Sequence, residues 1–458
     1  MHFARIPTSP FYPMRLFIAD CIDFPLRSRG RSRLFLALVT VVVLTWSAEA
    51  IKIAKVTALG SSTEISEVRK GLALDPGNPE LHYRLSQLYS DSLGSSNLTW
   101  GVAQARSAIA LNPNKFNYWL NLASACESIR DNACVEQALE RTLELCPMVP
   151  MAWWAAGNQY LRINQPEKAS RCFQRLLKLS PEYLTRTLDL TLRAYGDPHM
   201  IFERVVGGGT DAPLAIAFAD YMSVNNEFDA AQQAWRRLAG RGATFPFVAV
   251  QPYLEQLLRH GQYQNAQTVW LYLERRGIIA TPADNEHGNL VFNGGFEESP
   301  LGAGFDWRSQ PLSYVSVDFD DHSAYDGARC LRVDFLVSQN DEFEPVYQIL
   351  PVVPGLTYTL AAYVRTTTIT SDSGPRLRIV EPGCSACQTV STESTTGTTA
   401  WHSVSVSFTT GRQTQVVRIS VWRPRNRTFP MDISGSFWLD DVSMRPANPA
   451  EERTVANR

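Results

Sequence analysis

Between residues 116 and 181 apolar side chains recur at three- and four-residue steps, the period of a single helix face. Trp119, Leu122, Ala123 and Cys126 follow Pro113 by six, nine, ten and thirteen residues. Trp153, Ala156, Gly157 and Tyr160 stand at the same distances after Pro147. A second stripe, Ala169, Phe173 and Leu176, then runs into a proline, which cannot continue a helix interior. Four such blocks close on Leu-x-Pro: Leu74-Asp75-Pro76, Leu111-Asn112-Pro113, Leu145-Cys146-Pro147 and Leu179-Ser180-Pro181. The last three prolines are 34 residues apart and the first gap is 37. A period of that length in helical text predicts stacked helix hairpins. Trp119, Trp153, Tyr160 and Phe173 read as packing residues, with Trp153 filling the helix–helix interface. The small residues Ala123 and Gly157 let a neighbouring helix approach closely. The pattern is looser at 76–113, where His82, Leu85, Ser86 and Tyr89 precede Gly101, Ala105 and Ala108. Later, Tyr221 with Ala230, and Leu257 with Ala266 and Trp270, keep the spacing. Asn225-Asn226-Glu227-Phe228 and His260-Gly261-Gln262-Tyr263 read as inter-helix turns. The total is five or six hairpins within residues 60–280. Gly207-Gly208-Gly209 interrupts the array; no strand precedes it and no Lys-Ser/Thr follows, so it does not read as a phosphate loop.

After Gly277 the helical period stops, residues 281–287 read as a linker, and alternation takes over. Strand-like runs are Cys330–Phe335, Val346–Val352, Tyr358–Arg365, Leu377–Val380, His402–Phe408, Val417–Trp422 and Phe437–Val442. Eight or nine short strands over 288–447 predict an all-β sandwich. Pleat parity turns Tyr358, Leu360, Ala362 and Val364 inward and leaves Tyr363 and Arg365 outside. It likewise turns Val417, Ile419, Val421, Leu377 and Ile379 inward and leaves Arg418, Trp422, Arg376 and Arg378 outside. If these strands share a sheet, one open face gathers Tyr363, Trp422 and four arginines. An aromatic ring can stack on a sugar, and arginine pairs bidentately with carboxylates, so the face would suit an acidic polysaccharide. The competing readings are an ordinary solvated face and a face docked on the solenoid.

The N-terminal segment 1–33 is basic, with Arg27, Arg29, Arg31 and Arg33 before the apolar run 34–50. That run sits at the lower limit of length for a bilayer span. Two readings stay open. Ala48-Glu49-Ala50 fits a signal-peptide cleavage site, and an uncleaved signal anchor fits the long segment before the run, unless translation starts at Met14. Both place residues 51–458 outside the cytoplasm, in the periplasm of a bacterial envelope. Lys/Arg and Asp/Glu nearly balance (43 against 45), which excludes a global basic field for nucleic acid. Of eight cysteines, Cys21 would remain inside, leaving seven outside. Cys126 and Cys134 flank one turn, a spacing that allows a disulfide. Cys384-Ser385-Ala386-Cys387 lacks the second pair that a zinc site needs and reads as a loop disulfide or free thiols. No nucleophile, HExxH or phosphate-loop context appears, and Asp320-Asp321 is a poor glycosidase pair, so no enzyme is expected. The tail 448–458 reads as disordered.

The residues carry two resemblances. Trp153, Gly157, Tyr160, Ala169, Phe173 and Pro181 resemble the tetratricopeptide repeat, which implies a scaffold holding a protein partner. Asn289-Leu290-Val291-Phe292-Asn293-Gly294-Gly295-Phe296-Glu297, then Trp307, Gly327–Val333, Gln348, Pro354–Tyr358, Trp401 and Phe437–Val442, resemble the galactose-binding-like jelly roll of family 4/9 carbohydrate-binding modules. That family often holds a structural calcium, and the resemblance implies Glu297 and Asp440 as its carboxylates; the alternative is strand-end acids with no metal. No other cofactor is expected. The combination resembles envelope proteins associated with exopolysaccharide production. The leading expectation is therefore a non-catalytic scaffold that binds glycan. The alternatives are a protein–protein adaptor with a structural sandwich and, more distantly, a glycoside-active enzyme.

Overall fold

The computed structural model describes residues 29–91, 95–281, 288–310, 312–336, 340, 342–382, 389–427 and 431–447. Cys21, Arg27, the Cys384–Cys387 pair, most of the linker (282–287) and the tail 448–458 lie outside the described residues. The chain divides into two compact units, Met1–Pro147 and Met148–Arg458.

The first unit holds α1 (Arg29–Gly60), α2 (Ile65–Leu74), α3 (Pro79–Ser90), α4 (Ser95–Leu111), α5 (Phe116–Ser128) and α6 (Asn132–Leu145). One stretch of α1, Ser32–Gly60, is long and apolar enough to cross a membrane by length and composition, a test that a signal sequence also passes. Val56, near its C-terminal end, is buried with Val68, Leu81, Leu85 and Tyr89. Asn78 caps α3 by accepting the Glu80 amide, and Pro79 occupies the first turn, where its missing N–H costs nothing. Cys126 of α5 and Cys134 of α6 form a disulfide, which their spacing allows.

The second unit begins with α7 (Pro150–Arg162), α8 (Pro166–Leu179), α9 (Leu184–Tyr195), α10 (Pro198–Ile201), α11 (Ala212–Val224), α12 (Phe228–Gly240), α13 (Phe247–Arg259) and α14 (Tyr263–Arg275). The pairs α3/α4, α5/α6, α7/α8, α11/α12 and α13/α14 are hairpins. Four of the connecting turns repeat one device. Arg130, Asn164, Asn226 and Gly261 each take a left-handed φ. The next amide then reaches back to an exposed helix-end carbonyl: Asp131 to Cys126, Gln165 to Tyr160, Glu227 to Met222 and Gln262 to Leu257, at 2.8–3.0 Å. This is the repeat seen at backbone level. Gly157 is the close-approach position that the spacing predicts, since a β-carbon there would lie 2.5 Å from the Phe173 ring. Tyr160 and Phe173 are buried, but Trp153 and Trp119 are only half-buried. The expectation that Trp153 fills the interface is corrected here. Gly157 admits Phe173 to the centre, and Trp153, one turn back on α7, is left at the rim.

The sandwich comprises β1 (Arg308–Ser309), β2 (Val315–Asp320), β3 (Cys330–Phe335), β4 (Phe343–Pro351), β5 (Thr357–Ile369), β6 (Arg376–Val380), β7 (Val390–Ser391), β8 (Gly397–Thr409), β9 (Val416–Arg423) and β10 (Gly435–Pro446). They form two five-stranded antiparallel sheets, ordered β1-β4-β9-β6-β7 and β2-β3-β10-β5-β8. Between them lie Val333, Leu350, Tyr358, Leu360, Ile419, Leu439 and Met444, all under 1% exposed. The opening motif is explained by contact. Gln348 brackets Phe292, taking its amide at 3.2 Å and donating to its carbonyl at 2.7 Å. The Trp307 indole donates to the Asn293 carbonyl, and a β-carbon at Gly294 would lie 2.1 Å from the Val442 carbonyl oxygen.

The loop before β1 docks on the last two helices. Trp270 packs edge-on against Phe292 and Phe305, at 5.1 and 5.9 Å between ring centres. Glu255 of α13 takes Arg308 bidentately, at 2.8 Å for each bond, and also the Gly304 amide at 2.8 Å.

Phe173 is fully buried, so Phe173→Ala should cost about 3–5 kcal/mol in chemical denaturation, the range for large-to-Ala core changes. Trp153→Ala should cost clearly less. Equal costs would place Trp153 in the core after all.

Candidate carbohydrate-binding faces of the sandwich

The inward and outward parity read from sequence holds along all three strands. Tyr358, Leu360, Ala362, Val364, Leu377, Ile379, Val417, Ile419 and Val421 are buried, and the six candidate side chains alternate with them. The shared sheet does not hold. Tyr363 and Arg365 lie on β5, whereas Arg376 and Arg378 lie on β6 and Arg418 and Trp422 on β9. β5 belongs to one sheet and β6 and β9 to the other. The six residues therefore divide between opposite outer faces. Alternation fixes which side of its own strand a residue faces, but the pairing of strands far apart in sequence is set by the whole topology.

On the β6–β9 sheet, registry aligns Ser391, Arg378, Ser420, Tyr347 and Arg308 in one row across all five strands. Trp422 pairs with Arg376 on one side of this row, and Arg418 with Ile349 on the other. Two glutamates that the sequence reading missed organise the face. Glu344 contacts the Arg378 guanidinium, accepts from Arg418 at 2.9 Å and takes the Ser420 hydroxyl at 2.8 Å. Glu342 accepts from Arg378 at 3.1 Å and from the Trp422 indole at 2.9 Å. Arg378 also lies over the Trp422 ring at 4.6 Å, and Arg418 over Tyr347 at 5.5 Å. Arg376 stands over Trp422 at 5.7 Å and has no ion-pair partner among the described residues. Burial accordingly draws its pKa below the ordinary value. Glu344 was hidden by a register shift between Phe343 and Val346, which reverses simple alternation just where it sits.

On the other face, Tyr363 stacks on Tyr325 with ring centres 3.6 Å apart, and Trp401 lies 5.9 Å from Tyr325. Arg365 and Arg332 flank the Trp438 ring at 4.7 and 5.3 Å. The Trp438 indole donates to Asp320 at 2.8 Å. Partial desolvation raises Asp320, but that indole, the His322 amide and the Ser323 hydroxyl outweigh it and hold the carboxyl below its usual range. Asp321 pairs with Arg329 at 3.6 Å. These bonds give the Asp320-Asp321 pair a structural task.

Glu297 and Asp440 both hold the loop 325–329. Glu297 accepts the amides of Ala328 and Arg329 at 2.9 and 3.3 Å. Asp440 accepts those of Tyr325, Asp326 and Asp441 at 2.7, 3.2 and 2.8 Å. Calcium takes roughly six to eight oxygen donors. Among the described residues no group of three or more acidic, histidine or cysteine side chains is placed to hold a metal ion, and both carboxylates are engaged by backbone amides.

Desolvation pushes Asp440 up to about 6 against three amide bonds, and pushes the buried Asp306 up to about 6 against the amides of Leu301 and Trp307. Between pH 4 and 6 each is protonated in the folded chain and ionised in the unfolded one. Their contribution to stability is thus complete below the unfolded value and is lost as pH rises through 6. Relative to Asp440→Asn, the wild type should lose about 2–3 kcal/mol between pH 4 and 7, from 1.36 kcal/mol per unit. Thermal melts of the full chain across that range check it. Excess calcium would remove the slope if it binds there, because a cation favours the ionised form.

Residues 288–428 match the family model described as a carbohydrate binding domain, CBM 4/9. Among curated proteins nothing matches the chain. Solved structures similar to it include one described as "CBM4 structure and function", at 18% identity and TM-score 0.25, covering 34% of this chain and 99% of that one. Another is the CBM22-1 xylan-binding domain from Paenibacillus barcinonensis Xyn10C, at 14% identity and TM-score 0.25, covering 36% of this chain and 97% of that one. A third, MamA, has 16% identity and TM-score 0.25, covering 43% of this chain and 90% of that one. The C-terminal sandwich thus matches a carbohydrate binding domain model of the CBM 4/9 type over residues 288–428, and an array of helix hairpins precedes it.

Proposed function

We propose that this protein is a non-catalytic scaffold of the bacterial cell envelope. The β6–β9 face binds polysaccharide, and the helix hairpins, built as tetratricopeptide repeats, hold a protein partner. The observation that carries the reading is an outer sheet face on which the half-buried Trp422 and Tyr347 rings lie beside Arg376, Arg378 and Arg418, on a sandwich matching a carbohydrate binding domain. Sugars need such paired donors and acceptors beside aromatic surface. Arg378 and Arg418 are neutralised by Glu344 and Glu342, so a preference for acidic polysaccharide rests on Arg376. Placement outside the cytoplasm is supported by the apolar N-terminal helix and by the Cys126–Cys134 disulfide, since such bonds persist in oxidising compartments. The role in exopolysaccharide production or export is carried by the resemblance of this combination of repeats and sandwich to envelope proteins of that kind. The docked interface around Trp270 favours a second reading, in which the sandwich braces the solenoid as part of a protein adaptor.

Two measurements test the proposal. Trp422→Ala should weaken binding of the full chain to polygalacturonate about tenfold, or about 1.4 kcal/mol, without lowering its melting temperature. Arg376→Ala should reduce the salt dependence of that binding, because exposed charge attraction is screened. No binding by the wild type would leave the adaptor reading.

A reporter that works only after export, fused behind Arg458, should be active. Activity of a cytoplasm-only reporter at the same position would reject the envelope placement.

A further inference from the structure

A second polar cleft lies away from both sheet faces, where α14 meets the end of the sandwich. It measures about 910 Å³ and is lined by residues of α14, by the segment 351–354 and by the turn between β8 and β9. From the helix come Tyr263, Gln264 and Gln267; from the turn come Arg412, Gln413 and Gln415. The four glutamine side chains make no hydrogen bond to any described residue. Arg412 is the one charged side chain in the lining.

Both walls are held in place. On the sandwich side, the Thr410 hydroxyl donates to the Val353 carbonyl at 2.9 Å, the Thr414 hydroxyl to Glu381 at 2.8 Å, and the Val352 amide to the Gln415 carbonyl at 2.9 Å. On the helical side, α14 is fixed by the buried Trp270. The amides are therefore presented from a set backbone, which lowers the ordering cost of binding. Each glutamine offers one acceptor oxygen and two N–H donors. A hydroxyl also donates and accepts, so an array of free amides on two facing walls is complementary to a polyhydroxylated ligand. A carboxylate or phosphate polymer would want several cations and finds one. The Tyr263 ring supplies an apolar surface for the C–H face of a pyranose. The volume lies at the upper end of small-ligand sites, large enough for several sugar rings.

We propose that this cleft binds a neutral oligosaccharide chain, using one wall from the helical array and one from the sandwich. The proposal does not rest on the β6–β9 face, and it makes the helical array a direct participant in glycan recognition.

The test is calorimetric titration of the full chain in detergent with cellohexaose, maltohexaose and chitohexaose. At least one should bind. The double variant Gln267→Ala/Gln413→Ala, one change on each wall, should weaken it by tenfold or more, whereas Trp422→Ala should leave it unchanged. Thr268→Trp, which fills the cleft from an exposed helix position, should abolish it and keeps the test valid if the double variant loses stability. The proposal is overturned if no neutral hexasaccharide binds the wild type. Binding that survives both groove variants, or that falls equally with Trp422→Ala, overturns it too. Polygalacturonate binding through Trp422 is read separately, so either site can fail without the other.

Discussion

The junction of helices and sandwich in the second unit depends on the close approach of Trp270 to Gly304. A β-carbon at Gly304 would lie 2.3 Å from the indole and 2.8 Å from Leu254, and its φ of 62° already favours glycine. With that side chain absent, the loop backbone lies flat on α13 and α14, and Phe292 and Phe305 close around the ring. The apolar contact supplies the burial. The Glu255–Arg308 pair and the Gly304 amide supply direction, because a bidentate carboxylate–guanidinium contact fixes orientation as well as distance. Helices and sheets cannot slide past one another without breaking both.

This docking reaches into the candidate glycan face. Arg308 pairs with Tyr347 in the registry, so its side chain lies on the same side of the sheet as Tyr347, Ser420 and Arg378. An arginine at that edge would otherwise add positive charge to the face. Here its guanidinium is taken by a carboxylate of the helical array. The same logic operates at the centre, where Glu344 and Glu342 absorb Arg378 and Arg418. Three arginines thus contribute structure and a hydrogen-bonding pattern rather than a strong field, and Arg376, with no ion-pair partner among the described residues, sets what charge preference is left.

Much of this architecture was legible in the sequence because its periods are local. The hairpin spacing, the close approach at Gly157, the turns at Asn226 and Gly261, the Cys126–Cys134 pair and the in–out parity of β5, β6 and β9 all follow from neighbours within a few residues. The failures were non-local. Nothing in the Tyr358–Arg365 run states which sheet it joins, and so Tyr363 and Arg365 were grouped with side chains from the opposite face. Glu344 escaped because a bulge reverses parity beside it. Trp153 was placed too deep because its periodicity marks a face but not the depth along it. The short strand β2 was missed, since its exposed Asp318 and Phe319 dilute the alternation.

A rigid junction changes what a small carbohydrate module can do. A sandwich on a loose tether binds sugar with whatever its own surface offers, and the ligand's effect ends there. Here the first loop of the sandwich carries Asn293, Glu297, Asp306 and Arg308, which serve respectively the Trp307 indole, the 325–329 loop, the 301–307 turn and the helical array. A strain at any one of them is felt by the others, because interdigitated packing is not continuously deformable. Ligand on the β6–β9 face and a partner on α13 or α14 would therefore act on a common element. Coupling between them requires that each favour a different arrangement of that loop. The tight Trp270–Gly304 contact argues for one arrangement of that loop, so within the proposed function glycan and partner would be held in fixed register rather than exchanged.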